Sequence, residues 1–123
     1  MLGFSIPSFS DRPLMYVSGP ISWMPEYNQK AFKEAGQKLE AMGYAPVQPN
    51  DFGSFSNEKM HWLACITDSI HILSRCQGLY LLAGWEHSTG AKIEHLVARR
   101  LNIPVYYEEK EYGNPLKPPE RTP

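Results

Sequence analysis

Apolar and polar positions along this chain switch between two periods, and the switches mark out its elements. Leu14-Met15-Tyr16-Val17-Ser18 is a short apolar run that stops at Gly19-Pro20. A run of that kind, closed by turn residues, predicts a buried strand. From Glu26 to Met42 the spacing becomes helical: Phe32, Ala35, Leu39 and Met42 share one face, while Lys30, Lys33, Glu34, Gln37 and Lys38 point away from it. Gly43 supplies the stop. Tyr44 to Val47 predicts a second short strand, at an edge because Pro46 and Pro49 cannot donate to a ladder. The polar, Gly/Ser-rich stretch from Asn50 to Lys59 predicts a loop. A second helix is predicted over His61 to Ser74, with Trp62, Ile66, Ile70 and Leu73 as its core stripe. Leu79 to Ala83 is apolar on both faces, as buried parallel strands are. Gly84 to Thr89 predicts a loop, Thr89 or Gly90 opens a third helix that runs to Leu101, and Ile103 to Tyr107 predicts a fourth strand.

The order β-α-β-loop-α-β-α-β predicts a three-layer α/β fold, flavodoxin- or Rossmann-like, with a mostly parallel sheet of four to five strands flanked by helices. Residues 1–13, with Pro7 and Pro13 and no period, predict a loose arm. Residues 14–112 form the single domain, and residues 113–123, rich in proline, predict an unstructured tail. In parallel sheets ligands bind outside the carboxyl ends of the strands. That rule puts Ser18-Gly19-Pro20 and the segment from Gly84 to Gly90 at the predicted site.

Composition narrows the choice of partner. The chain has 123 residues, enough for one core and too few for two domains. Twelve basic residues stand against 13 acidic ones, for a net charge of −1. No basic excess exists to wrap a nucleic-acid polymer, whereas a small anion needs only local positive potential. The longest apolar run, Leu79 to Ala83, is far short of the ~20 residues of a membrane span. The first 13 residues lack a basic start followed by an apolar core, so no signal peptide is expected. Cys65 and Cys76 have no metal-type spacing and read as small buried thiols of a reducing compartment. The expected location is the cytoplasm.

Four features carry chemistry. Glu94 falls in the inward stripe of the third helix, with Ala91, Ala98 and Leu101, while Lys92, His95 and Arg99 share a solvated face. A carboxylate in an apolar stripe is costly unless it is paired for structure or placed for use. Its seat, one turn inside a helix that opens from a Ser/Thr/Gly loop at a strand end, favours use. Ser88-Thr89-Gly90 presents hydroxyls and backbone N–H groups at a helix start, either as an ordinary cap or as an anion seat. Asp68 sits mid-helix off the apolar stripe. It is a solvated residue unless it converges on Glu94. Tyr16, near the end of the first strand, is either core or a hydroxyl that reaches the mouth and holds a carboxylate.

Tyr16-Val17-Ser18-Gly19-Pro20, then Asp68, then Ser88-x-Gly90-x-x-x-Glu94 together resemble the nucleoside 2-deoxyribosyltransferase superfamily, over about Met15 to Val105. The segment Gly84 to His95, followed by Ala98 and Ile103-Pro104-Val105, is most similar to an uncharacterised phage and bacterial branch of it. The resemblance implies glycosyl transfer at the anomeric carbon of a 2-deoxyribosyl group. Glu94 would be the nucleophile, Asp68 would protonate or hydrogen-bond the leaving base, and Tyr16 would orient Glu94. The chemistry is that of a retaining glycosidase. Six residues before the nucleophile, free-nucleoside transferases carry an aspartate and monophosphate hydrolases a serine; this chain has Ser88. A hydroxyl beside helix N–H groups suits a phosphate, so the implied reaction is hydrolysis of 2′-deoxynucleoside 5′-monophosphates. Those hydrolases have an arginine near the first turn. Here Ile21-Ser22-Trp23 follows, leaving Lys92 or a neighbouring subunit to supply a cation.

Ser18, Gly19, Pro20, Trp23, Trp85, Ser88 and Gly90 are the expected substrate contacts. Trp23 and Trp85 are each either a base-stacking platform or a loop anchor. His87 and His95 lack a carboxylate or cysteine at ligand spacing, so no metal is expected, and no other cofactor. A homo-oligomer is expected, with Trp23, Phe52 and Phe55 as interface candidates. Base exchange between deoxynucleosides is the near alternative, and a nucleotide-binding module without catalysis is the distant one.

Overall fold

A computed structural model describes residues 12–21, 23–48, 59–113 and 116–119, with the backbone alone for 59–65. Four strands and three helices build three layers. Strand β1 (Leu14–Ser18) leads to helix α1 (Gln29–Met42), strand β2 (Ala45–Val47), helix α2 (Lys59–Leu73), strand β3 (Gly78–Leu81), helix α3 (Thr89–Arg100) and strand β4 (Val105–Tyr107). The sheet order is β2-β1-β3-β4 and every pair is parallel. The proline-bearing β2 takes an edge, where a missing N–H costs no ladder bond.

Alternation along the two central strands divides the core. Met15, Val17, Tyr80 and Leu82 pack with Phe32, Ala35 and Leu39 of α1. Tyr16, Leu79 and Leu81 pack on the opposite face, with Leu73 of α2 and Ala91 and Ala98 of α3. Successive side chains of a strand point to opposite faces, so a sheet covered on both sides needs this unbroken apolar pattern. No described helix is long and apolar enough to cross a membrane.

Most element bounds move by one to three residues from those expected, and two of the shifts, with the tail, have a visible cause. Helix α1 starts at Gln29 rather than Glu26, because Pro25–Asn28 makes a short turn in which Glu26, Tyr27 and Asn28 take φ of 51°, 55° and 60°. Non-glycine residues in this left-handed region cost roughly 1–2 kcal/mol each. The Asn28 side chain holds the turn by donating to the Pro20 carbonyl at 3.0 Å. Leu101, expected on the inward stripe of α3, lies beyond the helix end and is exposed. The tail is also less free than its composition suggests: the Tyr44 hydroxyl donates to the Lys117 carbonyl at 2.6 Å, and Leu116 packs against the α1-side core. Phe52, Phe55 and the arm over residues 1–11 lie outside the described residues.

Gly19 lets the end of β1 lie against the end of β3. A Cβ at Gly19 would fall 2.8 Å from the Leu82 Cβ, an atom fixed to its backbone that cannot swing aside. Gly19→Ala is therefore expected to lower stability by about 1–3 kcal/mol, read as a lower urea midpoint at unchanged m-value.

Candidate active site

The carboxyl ends of β1 and β3 and the first turns of α3 meet at one edge of the sheet. Tyr16 and Ser18 are two residues apart on β1, so the pleat turns both to the face that α2 and α3 cover. Glu94 comes to them from the second turn of α3, only 4% exposed. The Ser18 hydroxyl donates to Glu94 Oε1 at 2.5 Å and the Tyr16 hydroxyl donates to Oε2 at 2.9 Å. Ser69 of α2, only 1% exposed, lies near enough to pull down both the Glu94 carboxyl and the Tyr16 phenol.

No cation shares this pocket among the described residues, and the electrostatics follow. Burial pushes the Glu94 carboxyl above the usual carboxylate range, and the hydrogen bonds from Ser18 and Tyr16, with Ser69 close by, pull it part of the way back. Burial and the neighbouring Glu94 charge push the Tyr16 phenol far above its usual range. Tyr16 thus stays protonated at any working pH and remains a donor.

The loop between β3 and α3 is anchored from one side. Gly84 takes φ of 88°, open to glycine at no steric cost, and Pro20 packs beneath it. Trp85 then turns into an aromatic cluster, with ring centroids 4.6 Å from His95, 5.9 Å from Tyr107 and 5.7 Å from Tyr112. A segment after β4 closes over that cluster: the Ala83 N–H donates to Glu108 Oε1 at 2.7 Å, and the Tyr112 hydroxyl donates to Glu86 Oε2 at 2.6 Å. That bond pushes the Tyr112 phenol up to about 12 and holds Glu86 below its usual range. Ser88 caps α3, its hydroxyl oxygen accepting from the Ala91 N–H at 3.2 Å. As an acceptor there, the Ser88 hydroxyl keeps its hydrogen for a second bond.

Set beside the expected site, the structure brings Tyr16, Ser18 and Glu94 into direct contact, with Gly90 about one turn and Ser88 nearly two turns before Glu94 at the start of α3. Ser18 points to Glu94, so its hydroxyl holds the carboxylate. Gly19 and Pro20 are buried and form the corner on which the loops pack. Trp85 is the anchor of its loop, whereas Trp23 is 57% exposed. His95, expected on a solvated face, is half-buried, and its Nε2 lies 2.9 Å from the Tyr107 hydroxyl. Asp68 is exposed. Its neighbour Ser69 is the buried one, and adjacent helix positions point about 100° apart. Sequence reasoning missed Ser69, because the expected stripe runs through Ile70 and shows no gap there.

Cys76 is buried, and burial pushes its thiol up to about 11, which removes it as a nucleophile. The side chain of Cys65 lies outside the described residues. No group of three or more His, Cys, Asp or Glu among the described residues could hold a metal ion.

A parallel α/β sheet with a buried, hydroxyl-held carboxylate at its carboxyl edge defines a Rossmann-like protein whose site sits where such folds bind ligands. The chain belongs to the family described as domain of unknown function (DUF4406), whose model matches residues 13–107. Every residue of the cluster, from Tyr16 to Glu94, falls within that span. No curated protein matches the chain.

Because the folded protein holds the Glu94 proton more tightly than the unfolded chain, this group contributes most to stability below its ordinary value of 4.5, and the contribution is lost as pH rises through the folded value. Glu94→Gln removes the buried charge at nearly constant volume. Its Tm is expected to exceed that of wild type at about pH 8, with the gap closing toward about pH 4. Parallel Tm-versus-pH curves for the two proteins would contradict the assigned burial.

Proposed function

We propose that the protein hydrolyses the N-glycosidic bond of 2′-deoxynucleoside 5′-monophosphates through a covalent intermediate on Glu94. The observation that carries this reading is the Glu94 cluster. A buried carboxylate is oriented by the hydroxyls of Tyr16 and Ser18 on one strand, with no cation against it among the described residues. A carboxylate in an ion pair is stabilised as an anion by its partner and loses nucleophilicity. Held by neutral donors in a site of low dielectric, it keeps its charge for a developing oxocarbenium ion.

In this reading a Glu94 oxygen attacks C1′ of the deoxyribosyl group. The bond from C1′ to the base nitrogen breaks, and the base leaves with the electron pair and takes up a proton. That proton comes from water, because Asp68 is exposed on α2 rather than turned to Glu94. Water then attacks C1′ of the glycosyl-enzyme, releasing the Glu94 carboxylate and 2-deoxyribose 5-phosphate. Tyr16 holds the attacking carboxylate in line. Trp23, exposed on the loop beyond β1, offers a face to the base. The hydroxyl of Ser88 and the free N–H groups of the first α3 turn suit the phosphate. Exposed Lys92, in that same turn, adds positive charge.

The test is incubation with each common deoxynucleoside monophosphate and chromatography for free base. Wild type is expected to release base and Glu94→Ala to release none, with Tyr16→Phe lowering kcat by about 10- to 100-fold. Tight nucleotide binding with no turnover by wild type would replace this reading with that of a binding module, and release only in the presence of a second base would make the protein a transferase.

The phosphate assignment has its own check. Ser88→Asp keeps an acceptor for the Ala91 N–H but brings a negative charge to the seat. It is expected to lower kcat/KM for monophosphates at least tenfold relative to free nucleosides, by like-charge repulsion. An unchanged ratio would remove the phosphate from Ser88.

A further inference from the structure

Three consecutive non-glycine residues stand in left-handed backbone ahead of α1. Glu26, Tyr27 and Asn28 hold φ of 51°, 55° and 60° with ψ of 34°, 29° and 26°. Of the three, only asparagine tolerates that region readily. No core offsets the cost, because Pro25–Asn28 buries none of its residues. Strain of this kind persists where other contacts over-determine it. One such contact crosses between segments: the Asn28 side chain donates to the Pro20 carbonyl at 3.0 Å. Around it the backbone closes two successive turns, from the Met24 N–H to the Ile21 carbonyl at 3.1 Å and from the Tyr27 N–H to the Met24 carbonyl at 3.0 Å.

The same residues suit a helix start. Met24 already has the extended backbone of an N-cap, at φ −94° and ψ 150°. Pro25 falls where the first helical position would be, and Glu26 follows at the end of a helix that favours acids. Begun at Pro25, α1 would gain one turn with no left-handed residue in it. Instead α1 opens from Asn28 in left-handed backbone, with no side-chain cap. We propose that Pro25–Asn28 is a two-state segment, a left-handed hook in one state and the first turn of α1 in the other, with the Asn28 bond to Pro20 as the latch that holds the hook. The latch is fastened beside the site. Pro20 packs under Gly84 and lies two positions after Ser18, which holds Glu94. Trp23 stands just before the hook and is 57% exposed, so rewinding the segment moves its ring relative to Glu94. The two states belong to the fold and hold whether or not a nucleotide is the substrate.

The test separates latch from strain by substitutions in the full chain, with NMR three-bond HN–Hα couplings at Glu26 and Tyr27 reading the backbone state. Asn28→Ala loses the latch, penalises left-handed backbone and favours helix. It is expected to shift the segment toward the helical state about tenfold. The couplings then fall to helical values, and the Trp23 indole N–H signal, assigned with Trp23→Phe, moves. Asn28→Gly loses the same latch but leaves left-handed backbone open and disfavours helix, so its couplings are expected to stay near those of wild type. Glu26→Gly relieves strain at an exposed position without touching the latch and is expected to raise Tm by about 2–4 °C. Should Asn28→Ala fail to fold, Asn28→Gln, which also favours helix over left-handed backbone, is read in the same way. Helical couplings in wild type overturn the proposal, as do equal couplings in Asn28→Ala and Asn28→Gly. An unmoved Trp23 signal in Asn28→Ala, or an unchanged or lowered Tm in Glu26→Gly, overturns it too.

Discussion

One buried carboxylate, with no cation against it among the described residues, organises the carboxyl edge of this sheet. Taking a carboxylate out of water is costly, and the common remedy is a lysine or arginine beside it. Here the remedy is a pair of hydroxyls from β1, those of Tyr16 and Ser18. Neutral donors offset part of the desolvation without neutralising the charge, so the acid stays harder to ionise than a carboxylate in water. The fold thereby gives up stability at neutral pH at this position, the kind of local cost found at functional sites. The surrounding features serve the same geometry. The glycine corner after β1, the capped start of α3 and the aromatic anchor at Trp85 all fix the positions of the three elements that meet at Glu94.

How much of this the sequence discloses depends on which physical signal each part carries. The layers, the parallel sheet and the edge place of β2 follow from periodicity, proline and element order, which report directly on burial. Glu94 and Tyr16 were legible for the same reason, as polar groups placed where the pattern calls for apolar ones. Asp68 drew attention by its charge, yet the helix turns it outward and turns Ser69 inward. A phase difference of about 100° between neighbours decides which of them enters the site, and an uncharged serine gives a weak signal of burial. The late start of α1 was hidden because composition across Glu26 to Asn28 suits a helix. The bond from Asn28 to the Pro20 carbonyl is a contact between segments that no local pattern encodes. Trp85 and His95 were ambiguous because the aromatic cluster that absorbs them is completed by Tyr107 and Tyr112, residues remote in sequence from the loop.

The placement of Tyr16 and Ser18 on β1 has a consequence for how the protein can fail. Both side chains reach Glu94 because the strand alternates, and the same alternation sends Met15 and Val17 into the opposite layer. A slip of one residue in the pairing of β1 would exchange the two sets. Phenol and hydroxyl would be driven into the layer under α1, and methionine and valine would face a bare carboxylate. Such a chain would lose its core and its reactive group in the same stroke. The protein consequently has no route to a well-packed but inert register isomer, and in a cell any copy with a misassembled pocket would present itself to proteases as an unfolded one.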